Sequence, residues 1–208
     1  MNQKTSINTI IFDLGGVLVD WNPKYLYRKI FDSETKINEF LSEICTNEWN
    51  IEHDRGRPLW EGTQLLVDQY PQYEQEIRAY YGRWVEMLGG LLDETVEILE
   101  KLKEIPEYRI YALTNWSHET FAFARVLYPF LQLFEGIVVS GEEKVIKPDA
   151  RIYEILLERF EVKAEEAVFI DDSLKNVKGA EAVGIKGIHF SSPQQLKVDL
   201  EKLLEVEI

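Results

Sequence analysis

The stretch Ile10–Asp20 reads IIFDLGGVLVD. With Asn8 and Thr9 ahead of it, its opening is the short β-branched and aromatic run that a buried parallel strand requires. The run ends on a carboxylate, Asp13, and then turns through Gly15 and Gly16. A strand of this kind delivers its acid to the carboxyl edge of a sheet, where open α/β sheets bind their ligands. The position two residues beyond Asp13, where a second carboxylate would help most, is Gly15.

Downstream, the hydrophobic pattern alternates. Arg109–Leu113, Gly136–Ser140, Ala167–Ile170 and Gly187–Phe190 read as strands. Glu94–Glu104, Glu119–Leu127, Ala150–Phe160, Asn176–Val183 and Gln194–Leu204 read as helices between and after them, with Gly184 as a stop signal. The expected fold class is α/β, a doubly wound parallel sheet with helices on both faces. Residues 21–88 break the alternation and hold no convincing strand. Apolar residues recur there at helical spacing: Tyr25, Leu26, Ile30 and Phe31; Ile37, Phe40, Leu41 and Ile44; Leu59, Leu65, Leu66 and Tyr70; Ile77, Tyr81, Trp84, Val85 and Leu88. Residues 1–20 and 89–208 are therefore expected to form one core, with 21–88 as a four-helix insertion.

The 208 residues carry 23 Lys and Arg against 37 Asp and Glu, a formal charge of −14. Such a surface repels polyanions, so no nucleic-acid partner is expected. The apolar fraction of 45% is that of a globular chain. No apolar run reaches the ~20 residues of a membrane helix, and MNQKTSINTI lacks a secretory h-region, so no membrane partner is expected. Cys45 is the single cysteine; it excludes an internal disulfide, fits a cytoplasmic location, and reads as a small core residue.

Four of the five expected strands deliver chemistry to the same rim. The first gives Asp13, the second Thr114 and Asn115, the loop after the third Lys147 and Pro148, and the fourth Asp171 and Asp172. Carboxylates at a strand edge suit Mg²⁺, which prefers a few carboxylates plus waters and substrate oxygens. A hydroxyl, backbone N–H groups and a lysine suit a phosphate. An Asp beside Mg²⁺ and Lys stays ionised and can attack phosphorus.

These residues resemble the four motifs of the haloacid dehalogenase-like hydrolases. Asp13-Leu14-Gly15-Gly16-Val17 is similar to the first motif, Leu113-Thr114-Asn115 to the second and Lys147-Pro148 to the third. Asp171-Asp172-Ser173-Leu174-Lys175-Asn176 is similar to the fourth, in family order. The resemblance implies that 21–88 is a small α-helical cap. It implies an Mg²⁺-dependent phosphatase of a small phosphorylated metabolite, in the sugar-phosphate class, working through an aspartyl-phosphate. Asp13 would be nucleophile and metal ligand, with Asp172 and the Gly15 carbonyl as further ligands. Asp171 or Asn176 would orient metal waters. Thr114 and the Asn115 amide would bind phosphate, and Lys147 would steady Asp13 and the phosphate. Two alternatives remain open: a 2-haloacid dehalogenase-type hydrolase and a non-catalytic phosphate-binding relative. Family members are monomers or homodimers.

Gly15 departs from the usual motif, in which an Asp protonates the leaving oxygen, a contribution of roughly 10²–10⁴-fold. A sugar-1-phosphate, with its easier leaving group, would suit such a site. The polar stretch Glu52–Pro58 reads either as a solvated loop or as a loop facing the site. In the second case Arg55 would meet a substrate anion and His53 or Asp54 would supply the acid. Ser117 reads as a helix N-cap with Glu119 in the first turn. Trp21, Trp116 and His118 read as pocket or packing residues, and His189 as core.

Overall fold

The computed structural model describes residues Ser6–Ile208. The expectation about the first residues falls, for Met1–Thr5, outside the described residues. Five strands form one parallel sheet: β1 (Thr9–Phe12), β4 (Arg109–Thr114), β5 (Gly136–Val139), β6 (Ala167–Asp171) and β7 (Lys186–His189). Their spatial order is β5-β4-β1-β6-β7. Every pair in it is parallel. The chain starts at the centre, builds outward on one side, then crosses to the other. That reversal around β1 opens a crevice at the carboxyl ends of β1, β4 and β6.

Side chains alternate across the sheet as the two-residue period dictates. Ile10, Phe12, Ile110 and Ile170 pack on one face, against helices α6 (Asp93–Lys103), α7 (His118–Leu127) and α11 (Pro193–Leu204). Ile11, Tyr111, Leu113 and Phe169 pack on the other, against α9 (Ala150–Arg159) and α10 (Leu174–Ala182). Both faces of the central strands are dry, which explains their continuous apolar runs. His189, expected in the core, is exposed instead, because β7 is an edge strand; its Nε2 lies 2.9 Å from the Asp172 carbonyl oxygen.

Between β1 and β4 lie two short strands, β2 (Val19–Trp21) and β3 (Leu88–Leu91), paired antiparallel with Val19 opposite Leu91. The sequence pattern carries no sign of them. They are three or four residues long, one holds two glycines, and they exist only through each other. Asp20 ties this ribbon down by accepting the Tyr25 hydroxyl at 2.7 Å.

The ribbon brackets the helical segment: α1 (Lys24–Tyr27), α2 (Glu34–Glu43), α3 (Asn47–Asp54), α4 (Leu59–Gln69) and α5 (Glu74–Gly82). The first expected helix shrinks to a single turn. A further helix, α3, occupies part of the stretch read as a polar loop. Its N-terminus is fixed by Thr46, whose hydroxyl accepts the Trp49 N–H at 3.1 Å. Rings fill the interior of this segment: Tyr27 lies 4.9 Å from Phe40, and Trp49 lies 5.0 Å edge-on to Tyr80. Cys45 is buried among them, and burial pushes its thiol up to about 12. Among the described residues, no helix is long and apolar enough to cross a membrane.

Candidate active site

Asp13 continues directly from β1, held by its own N–H on the Ile170 carbonyl at 2.8 Å. Its Oδ1 accepts the Leu14 N–H at 2.7 Å and faces Lys147 Nζ at 2.9 Å. The turn beyond it needs Gly16 twice over. Its φ is +75°, and a Cβ there would stand 2.4 Å from Asp172 Oδ2. The first and fourth strand ends are thus brought together at a left-handed turn that favours glycine.

Lys147 is completely enclosed. Its Nζ donates to Asp171 Oδ2 at 2.7 Å and to the Leu113 carbonyl at 3.0 Å, besides facing Asp13. Its loop is fastened to the end of β4 by a reciprocal pair: Asn115 Nδ2 donates to the Lys147 carbonyl at 3.1 Å, and Lys147 N–H donates to Asn115 Oδ1 at 2.8 Å. The side-chain amide of Asn115 is therefore engaged in holding the lysine loop, which leaves the backbone amide for the phosphate contact expected of this residue. Asp171 is saturated by neighbours. It accepts the Ser173 N–H at 2.7 Å and Asn176 Nδ2 at 3.1 Å on each oxygen. The expected outer pair, Asp171 and Asn176, is in direct contact. Thr114 is buried at the end of β4, and its Oγ1 has no hydrogen-bond partner. A buried hydroxyl left unpaired costs stability, so its retention at a strand end fits a ligand-facing role.

One oxygen from each of Asp13, Asp171 and Asp172 lies within 4.8 Å of the others. Burial and the charges of Asp171 and Asp172 push Asp13 up to about 8, although Lys147 pulls the other way. Burial and Asp171 likewise raise Asp172. Burial opposes the Lys147 charge, but Asp13 and Asp171 outweigh it and its pKa rises. One lysine against three carboxylates leaves a deficit of positive charge. An all-oxygen donor set short of cationic charge fits Mg²⁺.

Gly15 borders a cavity of about 80 Å³ that reaches into the helical segment. A Cβ at Gly15 would meet nothing within 4 Å. The cavity walls are aromatic (Trp21, Tyr81, Trp84 and Trp116), with Asn50, Asp54, Ser117 and Thr120 supplying polar groups. Tyr81 donates to Asn50 Oδ1 at 3.0 Å, and Asn50 Nδ2 donates to Asp54 Oδ2 at 3.2 Å. Burial pushes the Asp54 carboxyl up to about 7, while the Ser117 backbone N–H and the charge of Lys147 pull it the other way.

The helical segment is pinned over this cavity by two polar contacts. Ser140, the first residue of the short helix α8 (Ser140–Glu143), donates through Oγ to the Asp54 carbonyl at 2.6 Å and accepts the Trp116 N–H at 2.9 Å. Glu119 Oε1 accepts the Leu59 N–H at 2.8 Å, capping α4 from across the gap. Ser117 stands at the N-cap position of α7 without making the expected cap bond. Its buried Oγ has no partner, and the residue lines the cavity.

The Glu52–Pro58 stretch divides. Asp54 lines the cavity. Arg55 is not among the lining residues; it is exposed, with Nε 3.7 Å from Glu52 Oε1. It thus does not join the cavity wall, where a substrate contact was expected of it. His53 points inward instead, fully enclosed between Trp49 and Tyr81, and burial lowers its pKa to about 4. His118 is exposed. Asn50, Tyr81 and Ser140 escaped the sequence reading. Only the helical spacing of Tyr81 stood out, and it signals packing as readily as a pocket.

Residues 7–184 match the haloacid dehalogenase-like hydrolase family. The chain is 29% identical over 203 residues to a sesquiterpene phosphatase of Aspergillus oryzae, covering 96% of this chain and 98% of that one. It is 27% identical over 187 residues to a phosphorylated carbohydrates phosphatase of Thermotoga maritima, covering 88% and 84%. A haloacid dehalogenase-like enzyme of Bacteroides thetaiotaomicron, solved with magnesium and inorganic phosphate, shares the fold. Its TM-score is 0.69 at 22% identity, over 90% of this chain and 96% of that one. With a parallel sheet of this order and a family match spanning most of its length, the chain belongs to the haloacid dehalogenase-like hydrolases.

Proposed function

We propose that this hydrolase is an Mg²⁺-dependent phosphatase of a small phosphorylated metabolite, with Asp13 as nucleophile and an aspartyl-phosphate as intermediate. The observation that carries this reading is the buried Asp13–Lys147–Asp171 cluster, short of positive charge, beside the unpaired Thr114 hydroxyl. Asp13, Asp172 and the Gly15 carbonyl would hold Mg²⁺, which when bound supplies the charge that offsets the phosphoryl oxygens. Asp171 and Asn176 would shape its surroundings. Thr114 and the backbone at Asn115 would receive the phosphate, and Lys147 fixes the Asp13 oxygen it touches. Residues 1–20 and 89–208 would be the catalytic core, and 21–88 a cap that closes over the substrate to exclude water.

The test is p-nitrophenyl phosphate hydrolysis with and without Mg²⁺, for wild type and Asp13→Asn. That leaving group needs no acid. Mg²⁺-dependent release that falls by roughly 10⁴–10⁶-fold in Asp13→Asn is the expected outcome, the scale seen when a nucleophile is removed. No release from folded wild-type protein would overturn the reading in favour of phosphate binding alone. Mg²⁺-independent hydrolysis of a 2-haloacid would favour dehalogenation.

The substrate is read as a sugar phosphate, with a sugar-1-phosphate favoured. The cavity of about 80 Å³ has room for roughly six waters at the ~10–15 Å³ that each needs. That suits a sugar-sized group and is tight for the sesquiterpenyl chain suggested by one relative's name. The tryptophan and tyrosine faces suit the C–H face of a sugar ring. A panel containing hexose 1-phosphates, primary-alcohol phosphates and a sesquiterpenyl phosphate checks this. Preference for either of the last two would overturn it.

A further inference from the structure

Gly15 removes the carboxylate that would protonate the leaving group, and the space where that side chain would stand is open. The space belongs to the aromatic cavity, and among the described residues lining the cavity Asp54 is the sole carboxylate. Asp54 comes from the C-terminal end of α3, not from the sheet, yet its position is not left to a loose loop. Its carbonyl is clamped by Ser140, its carboxylate is held by Asn50, and Asn50 is held by Tyr81. Resting on the phosphatase reading above, we propose that Asp54 is the general acid and base of this enzyme, supplied by the helical segment in place of the residue missing at Gly15.

The surroundings suit that task. Burial favours the protonated form near neutral pH, while the Ser117 N–H and Lys147 keep the carboxylate attainable. Tyr80 and Tyr81 are the other titratable groups facing it, and both are neutral, their hydroxyls raised far above the usual range mainly by burial. In the first half-reaction an Asp13 oxygen bonds to phosphorus as the bond from phosphorus to the leaving oxygen breaks. The Asp54 proton passes to that oxygen, so a neutral alcohol departs and Asp54 becomes a carboxylate. In the second, Asp54 takes a proton from the water that attacks phosphorus. The bond from phosphorus to Asp13 breaks, releasing inorganic phosphate and restoring both side chains.

The test compares kcat/KM, which reports the steps through leaving-group departure, for an alkyl phosphate and p-nitrophenyl phosphate. Wild type, Asp54→Asn and the double variant Gly15→Asp/Asp54→Asn are measured with Mg²⁺. The expected result is a loss in Asp54→Asn of about 10²–10⁴-fold on the alkyl ester and of less than about tenfold on the aryl ester. The double variant regains at least about tenfold on the alkyl ester, because the space at Gly15 accepts the acid. Equal losses on both esters, with no recovery in the double variant, would overturn the role of Asp54 and leave the phosphatase reading standing. No hydrolysis of either ester by wild type would overturn both. If Asp54→Asn does not fold, wild type alone decides across a graded series of leaving groups. A shallow dependence on leaving-group pKa supports an internal acid, and a steep one overturns it.

Discussion

The sheet edge and the helical segment build their halves of the site in opposite ways. At the sheet edge, charge does the positioning: Lys147 is locked between Asp13 and Asp171, and Asp171 is further held by Ser173 and Asn176. In the helical segment, ring packing does it, and the polar groups that reach the cavity, Asn50 and Asp54, form a thin thread backed by Tyr81 and Ser140. The first half is fixed by strong interactions between few groups, the second by many weak ones. The proposed nucleophile and its lysine sit on the stiff half; the proposed acid, Asp54, and the aromatic wall of the cavity sit on the half held by packing.

If that contrast holds, the costliest stability lesion lies at the sheet edge. Lys147→Met leaves Asp13 and Asp171 buried without their cation and should cost about 3–5 kcal/mol in urea unfolding. Adding Asp171→Asn should return part of the loss; a Lys147→Met protein as stable as wild type would break the comparison. Next comes a pH effect in the helical segment. His53 is fully buried, with its pKa lowered from 6.5 to about 4. Below pH 6.5 the unfolded chain takes up a proton that the folded one refuses. This stability contribution is complete above pH 6.5 and is lost as pH falls toward about 4, at ~1.4 kcal/mol per unit. The difference between wild-type and His53→Leu unfolding curves across that window measures it, and a flat difference would place the imidazole in contact with water.

A smaller effect is expected at the same ring. A Cβ on Gly62 would stand 2.0 Å from His53 Nε2, and the ring is wedged between Trp49 and Tyr81. Gly62→Ala should therefore destabilise by about 1–3 kcal/mol in thermal or urea unfolding, as overpacking does. Smallest of all, Arg55→Ala removes only an exposed 3.7 Å pair with Glu52. It should change stability by less than about 0.5 kcal/mol. A large rise in KM on this substitution would return Arg55 to the substrate.

The same contrast governs what was legible in the sequence. Asp13, Thr114 and Asp171 each end a short apolar run, with Lys147 in the loop after another, and a parallel sheet gathers such strand ends by topology alone. The cavity wall gave no comparable signal. Helix α3 reads NEWNIEHD, too polar to show an apolar stripe, and it depends on the Thr46 cap and on Trp49 and His53 docking inward. Strands β2 and β3 have no local pattern because each is made by the other. Ser117 looked like a cap by residue type, but its hydroxyl has no partner in the cavity wall where it stands. His189 looked buried by its apolar neighbours, and only the sheet order shows that β7 is an edge.

The pairing of Val19 with Leu91 has a consequence for how such a chain tolerates change. It brings the two ends of a long helical excursion side by side, so the sheet beneath senses that excursion as a closed loop. Closing a flexible loop costs entropy only as the logarithm of its length, about 0.6 kcal/mol per doubling. Turns can then be lengthened or trimmed between those ends at little expense to the strands that hold Asp13 and Lys147. The excursion can thus change length at small entropic cost to the sheet wherever the contacts that clamp Asp54 and Leu59 are kept.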